Sequence, residues 1–300
     1  MEDRLKKFAQ LVDAGSFTKA AAEMHISQPA LSAAIAKLER ELKSRLLVRG
    51  ARPLAMTSAG ELAYQSAKEL AVQADNLKLK LAELARQPVS LKIGMIDSVA
   101  DALFESGAGL ELMETAKVSV VVNNSRYLME AVERGDLDIA FAAEQQRRLP
   151  AVLEAKPVAT EPLVVVSHKD HPVPRGKTLP DFIAYDQLSN TFRLVQQALK
   201  NYGITPNTSF YSTSPEVILR LVLLNKGTAA LPYLMVRAHI NSGQLKRLGK
   251  PTPWLIPRKI TAIKRRDREL PLALRQLLSQ VGSELNSLLL ETQATNLAGK

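Results

Sequence analysis

The sequence predicts an all-α N-terminal region, a long rod-like helix and a larger C-terminal α/β region. Three observations carry this reading. Up to about residue 58, apolar residues recur at spacings of three and four, the helical period. From Ser58 to Gln87 a second run of that period continues with no proline. From Val89 onward, short alternating or β-branched runs alternate with helix-like segments, the order that builds a parallel sheet covered by helices.

In chain order, Leu5, Phe8, Ala9, Leu11 and Val12 share one helical face, and Gly15 is a natural C-terminal stop. Ser16 or Thr18 then caps a short alanine-rich helix that ends by Met24, with His25-Ile26 as the interruption. Ser27 caps a second helix and Pro29 is tolerated in its first turn, where no intrahelical N–H is needed. Leu31, Ile35 and Leu38 form its apolar face; Gln28, Ser32, Ala33 and Lys37 form the opposite one. Two short helices joined by a tight turn, the second with a small polar face, is the sequence form of a helix-turn-helix. Small side chains permit close approach to a DNA groove, and Gln28 and Ser32 can hydrogen-bond base edges. Val48, Leu54 and Met56 then suggest two extended pieces around Gly50–Pro53, a wing with Arg49 and Arg52 at its tip, suited to phosphate or minor-groove contact. The DNA-contact candidates are Thr18, Ser27, Gln28, Pro29, Ser32, Lys37, Arg49 and Arg52.

Ser58 and Glu61 read as a capping box that opens the long helix. Within it Ala63, Ala67, Leu70, Ala74, Leu77, Leu81 and Leu84 alternate spacings of four and three. This is the seam of a helix that pairs with another helix. A rod of about 40 Å, at 1.5 Å per residue, is too long for a small domain to cover. These seven residues are therefore the dimerisation candidates.

The chain has 300 residues, room for about two domains, and 46% hydrophobic residues. No apolar run approaches the roughly 18 residues of a membrane span, and MEDRLKKFAQ carries no secretory apolar core. Cysteine is absent, which removes disulfides, thiolate catalysis and thiol redox sensing. A cytoplasmic location fits. The net charge is +10 and is densest at the start: residues 1–58 hold ten Lys/Arg against six Asp/Glu, while 59–88 balance at zero. The excess supports DNA binding without demanding it.

The run FAQLVDAGSFTKAAAEMHISQPALSAAIAKLERELKSRLLVRGARPLAMTSAGELA, over residues 8–63, resembles the LysR-type transcriptional regulators. The SQPALS core, Leu38-Glu39, Arg49 and the Pro53–Gly60 run carry the match. Lys43 stands where the family usually has Gly, and Leu47 where it usually has Phe. Beyond Val89 the resemblance extends, more loosely, to the family's effector-binding domain of the periplasmic-binding-protein type, through ERGDLDIAF at 133–141, VVVSHKDHP at 164–172 and NKGTAALP at 225–232. What the resemblance implies is a bacterial transcription regulator: a homodimer, and beyond it a homotetramer, on promoter or operator double-stranded DNA. A small-molecule effector between two α/β lobes alters DNA bending and contact with RNA polymerase. The expected domains are a winged helix-turn-helix at 1–58, a linker helix at 59–88 and an effector domain at 89–300. Lobe I takes about 89–161 and 267–300, and lobe II about 162–266.

The residues of this C-terminal region read as strands at 91–96, 118–122, 137–141, 162–166 and 260–263, with helices at 128–134, 192–202, 216–224 and 272–289. Ligands of such sheets sit at the carboxyl ends of the strands, where helix N-termini attract anions. The effector-contact candidates are Asp97, Ser98, Asn124, Ser125, Ser167, Thr213 and Ser214, each of which also suits plain capping or turn formation. Asp97 would repel an anionic carboxylate and suits a cationic or hydroxylated group. His168 and His171 read as part of a turn rather than a metal pair. Lys264, Arg265, Arg266 and Arg268 read as a solvated face or the edge of a crossover strand rather than a second DNA contact. No GxSxG, HExxH, GxGxxG or phosphate loop is present, so no enzyme, cofactor or metal is expected. A nucleoid-type DNA protein with a solute-sensing domain is the alternative, and an enzyme on a two-lobe fold a more distant one.

Overall fold

The computed structural model describes residues 1–48, 50–51, 53–85, 89–105, 107, 116–143, 148–172, 177–249, 255–271, 274–275, 277–283 and 285–287. These fall into two compact units, Met1–Arg86 with Asp267–Glu269, and Gln87–Arg266 with Leu270–Lys300.

The first unit is a winged helix-turn-helix. Helix α1 (Glu2–Ala14) stops at Gly15, whose left-handed backbone turns its N–H back to the carbonyls of Leu11 and Val12. Of the two possible caps for α2 (Phe17–Glu23), Ser16 is the one used: its hydroxyl accepts from Lys19 N–H. Helix α3 (Gln28–Glu41) is capped by Ser27, which accepts from Ala30 N–H at 3.3 Å. Its Leu31, Ile35 and Leu38 are buried in one core with Leu5, Phe8 and Leu11 of α1.

Helix α3 ends in a Schellman motif. Ser44 N–H donates to Glu39 O and Lys43 N–H to Arg40 O, with Lys43 at φ 52°. That left-handed position is where glycine is favoured, because only glycine lacks the Cβ that crowds the backbone there. The Glu39 side chain then reaches past the turn. Its Oε1 accepts from Leu46 N–H at 2.8 Å and Leu47 N–H at 3.4 Å, and its Oε2 pairs with Arg45 at 3.1 Å. The wing follows, with Leu47 bridged to Met56 and Val48 N–H donating to Ala55 O. Arg49 and Arg52 lie outside the described residues.

Helix α4 (Ser58–Leu84) includes the residue that the sequence pattern assigns as its cap. Thr57, not Ser58, is the N-cap: its Oγ1 accepts from Gly60 N–H at 3.0 Å and donates to Arg45 O at 2.6 Å. A hydroxyl that serves both the helix and the segment leading into the wing displaces its neighbour from the role. Gly60 permits the fit, since a Cβ there would stand 2.0 Å from Leu46 O. Asp13 ties α1 to α4 by accepting from Tyr64 Oη at 2.6 Å and pairing with Lys68 at 2.8 Å.

The second unit is an α/β domain of two lobes on one mixed sheet. Its elements are β1 (Val89–Met95), α5 (Asp97–Glu105), β2 (Ala116–Val122), α6 (Ser125–Arg134), β3 (Ile139–Ala143), β4 (Leu153–His168), β5 (Thr178–Tyr185), α7 (Asn190–Asn201), β6 (Thr205–Ser212), α8 (Pro215–Leu223), β7 (Thr228–Pro232), α9 (Tyr233–Asn241), β8 (Leu245–Arg247) and β9 (Leu255–Arg265). The strand order is β2-β1-β3-β9-β4-β7-β5-β6, with β8 beside β4. Strands β4 and β9 are the two crossovers, antiparallel from Leu153 opposite Arg265 to Val164 opposite Leu255. In the second lobe Leu163 and Val165 face one core while Val164 and Val166 face another, so β4 is buried on both sides.

The expected strand at 162–166 is thus part of a 16-residue crossover. Strands β5 and β6 fall where the sequence pattern predicts none. Pro180 and the left-handed Asp181 interrupt the apolar pattern of β5, and β6 is a polar edge strand. The expected 272–289 helix is helical at its described residues, with Leu272 and Leu289 outside them.

Replacing Lys43 by Gly relieves a left-handed side chain at no cost in contacts. The expected gain is about 1 kcal/mol. Amide exchange of α3 in the full chain should slow by about fivefold; unchanged or faster exchange would show that Lys43 is unstrained.

Candidate nucleic-acid interface and ligand cavity

On α3 the exposed residues are those opposite its core face. Gln28, Pro29, Ser32 and Lys37 are all exposed, with Ala33 and Ala36 beside them. Thr18 donates from Oγ1 to Gln28 Oε1 at 3.2 Å, so α2 orients the glutamine at the start of α3. Ser27 is held in its capping role. The described candidates therefore converge on one small, polar helix face.

The seam of α4 divides. Ala63 and Ala67 are buried in the core of their own unit, whereas Leu70, Ala74, Leu77, Leu81 and Leu84 are exposed. Leu77 is 59% and Leu81 56% exposed, large apolar side chains left in water. Buried Asn76 donates to Asp267 O at 2.7 Å and accepts from Glu269 N–H at 3.2 Å. Lys80 pairs with Glu269 at 2.7 Å.

In the second unit a cavity of about 270 Å³ opens at the carboxyl ends of the strands. Asp97, Ser98, Asn124, Ser125, Thr213 and Ser214 all line it. The N-termini of α5, α6, α7 and α8 converge here. Asn124, Ser189 and Ser214 cap the last three by accepting from Tyr127, Phe192 and Val217 N–H. Ser125 accepts from Ala143 N–H at 3.1 Å.

Ser167 does not belong to this group. It is fully buried between Thr228 of β7 and Lys246 of β8, with its hydroxyl directed to His168 O. The sequence pattern ends the strand at Val166, but it runs on to His168, which leaves Ser167 inside the sheet.

The residues that organise the cavity wall are not among the sequence candidates. Glu161 and Arg258 stand directly opposite each other on β4 and β9 and form a buried ion pair, Glu161 with no exposure and Arg258 with 8%. Ser98 donates to Glu161 Oε2 at 2.9 Å and accepts from Arg258 Nη2 at 2.9 Å. Leu234 N–H, at the start of α9, points to Glu161 Oε1 at 3.4 Å. Both strands carry other charges, so local sequence does not single the pair out; only their burial shows that these two charges must be paired. Tyr185, Ser189 and Thr191 also line the cavity. The buried Tyr185 hydroxyl and Arg258 Nε have no hydrogen-bond partner among the described residues. Burial first, with Glu161 and Asp97 adding to it, pushes the Tyr185 hydroxyl above its usual range.

Next to the cavity, Asp101 of α5 is pushed up to about 6 by desolvation and by repulsion from Asp97, Glu105, Glu216 and Glu161. Elsewhere, His168 Nδ1 accepts from Asp170 N–H at 3.2 Å within its turn, while His171 Nδ1 meets Asn225 Oδ1, 54 positions away, at 2.7 Å. Among the described residues no cluster of His, Cys, Asp and Glu is placed to hold a metal ion. The 264–268 basic run is engaged internally: Lys264 and Arg266 with Glu154, buried Arg265 with Glu133 O, and Arg268 with Asp75. No described helix is long and apolar enough to cross a membrane.

Residues 3–61 match the family model described as bacterial regulatory helix-turn-helix protein, lysR family, and residues 90–286 match the LysR substrate binding domain. Among relatives, the Hca operon transcriptional activator HcaR of Escherichia coli is 27% identical, with 94% of this chain and 97% of that protein covered. The HTH-type transcriptional regulator BenM of Acinetobacter baylyi is also 27% identical, over 86% of this chain and 87% of its own. Among solved structures, a full-length OxyR variant from Pseudomonas aeruginosa superposes with a TM-score of 0.65 at 22% identity, covering 94% of each chain. Vibrio fischeri DarR in complex with DNA superposes at 0.53 and 22% identity, covering 94% of this chain and 98% of that one.

Asp101 yields a pH test. Its folded-state pKa of about 6 lies above the ordinary 3.8, so the folded form holds the proton more tightly. Its stabilising contribution is fully present below about pH 4 and is lost as pH rises through 6. Relative to Asp101→Asn, the melting temperature of the unsubstituted chain should fall between about pH 4.5 and about pH 7, values that bracket the folded-state pKa. Parallel curves would contradict the shift.

Proposed function

The chain belongs to the LysR family of bacterial transcriptional regulators, and we propose that it works in the cytoplasm as a homodimer on promoter DNA under control of a small molecule held in the cavity. The family carries DNA binding and an effector-binding domain. The observation that carries the rest is the pairing of two exposed surfaces on the first unit: a small polar face on α3 and an apolar stripe on α4 from Leu70 to Leu84.

The α3 face supplies the address. Gln28 and Ser32, four residues apart, enter the major groove and bond base edges, while Pro29 and the alanines permit close approach. Thr18 keeps Gln28 in place, and Lys37 with Arg49 and Arg52 contacts the phosphate backbone or the minor groove. The α4 stripe pairs two chains through Leu70, Ala74, Leu77, Leu81 and Leu84, which sets two recognition helices on half-sites separated by whole turns of about 10 base pairs. Ala63 and Ala67 support this helix from inside its own unit. Asp97, Ser98, Asn124, Ser125, Thr213 and Ser214 hold the effector. Its binding shifts the dimer or tetramer geometry and so the contact with RNA polymerase.

Two substitutions separate the surfaces. Gln28→Ala should weaken the footprint at the chain's own promoter by about 1–3 kcal/mol while leaving non-specific DNA binding intact. Leu77→Asp should leave the folded monomer intact and abolish the dimer in sedimentation. A footprint unchanged by Gln28→Ala, or a dimer that survives Leu77→Asp, overturns the corresponding half of the reading.

A further inference from the structure

The cavity carries two opposite chemical demands. Four helix N-termini, of α5, α6, α7 and α8, meet there and offer partial positive charge to an anion. Each of these helices is at least nine residues long. Two buried donors in the wall, the Tyr185 hydroxyl and Arg258 Nε, have no acceptor among the described residues, although each residue is only 8% exposed. These features ask for an oxygen-rich acceptor. Asp97 asks for the reverse. It places a full carboxylate on the same wall, and Arg258 does not neutralise it because Glu161 already pairs with that guanidinium.

A simple carboxylic acid would satisfy the helix N-termini and meet Asp97 as a like charge. A simple amine would satisfy Asp97 and leave the buried donors without an acceptor. We infer that the ligand of this cavity is a small zwitterion of the amino-acid class, its ammonium on Asp97 and its carboxylate toward the helix N-termini and the orphan donors. The inference rests on the cavity being the effector site. The hydroxyl and amide groups of Asn123, Thr191 and Thr213 can donate or accept, so they suit the polar remainder of such a ligand.

The test uses the full chain and the common L-amino acids as probes, each compared with its decarboxylated amine and its deaminated acid in thermal-shift and calorimetric titrations. At least one amino acid should bind, with its amine and its acid each at least about tenfold weaker, the factor worth about 1.4 kcal/mol. Asp97→Asn should remove the preference for that amino acid over its deaminated acid. Thr213→Trp, which fills the cavity without touching the charge pattern, should remove binding altogether. Deaminated acids that bind as well as amino acids, unaffected by Asp97→Asn, would overturn the zwitterion while leaving the cavity as the effector site. No binding by any of the three probe classes overturns the zwitterion. If, in addition, Thr213→Trp leaves promoter output in cells unchanged, the cavity fails as the effector site too.

Discussion

The second unit depends on one buried ion pair. Glu161 and Arg258 face each other across the two crossover strands, the only part of the sheet that both lobes share among the described residues. A carboxylate with no solvent exposure is tolerated only because a guanidinium, a serine hydroxyl and a backbone N–H surround it. Those partners come from different elements: Ser98 from α5, Arg258 from β9 and Leu234 from α9. Removal of either charge leaves the other stranded, and such losses are typically about 3–5 kcal/mol. The pair therefore fixes where α5 and α9 begin, and with them the wall of the cavity.

The first unit uses a related device on a smaller scale. Glu39 finishes α3 and at the same time takes the backbone N–H groups that start the wing. Thr57 does the same from the other side by capping α4 while bonding to Arg45 O. Gly60 lets that helix approach to a distance no other residue permits. The exposed polar face of α3 is thus set by groups that lie away from it. Gln28, in turn, is oriented by Thr18 of the preceding helix.

Much of this is legible in the residue pattern. The caps of α2 and α3, the buried face Leu31–Ile35–Leu38 and most of the cavity-lining polar residues follow from local chemistry and the helical period. What escapes depends on long-range pairing. The cap at Thr57 rather than Ser58 is decided by Arg45, twelve residues earlier. Ser167 is removed from the cavity by two more residues of strand, which pairing with β7 and β8 sustains. Ala63 and Ala67 fit the seam by spacing, yet their small side chains are taken up by the core beneath them. Glu161 and Arg258 are 97 positions apart, and nothing local joins them.

A double-mutant cycle on the buried pair tests this account most directly. Glu161→Gln, Arg258→Gln and the double variant are compared by urea unfolding of the full chain. If the pair organises the crossover, the sum of the two single losses exceeds the double loss by about 2 kcal/mol or more, the coupling expected of contacting buried charges. Additive losses, with coupling near zero, would show that the two residues act separately and would contradict the claim that their pairing builds the cavity wall.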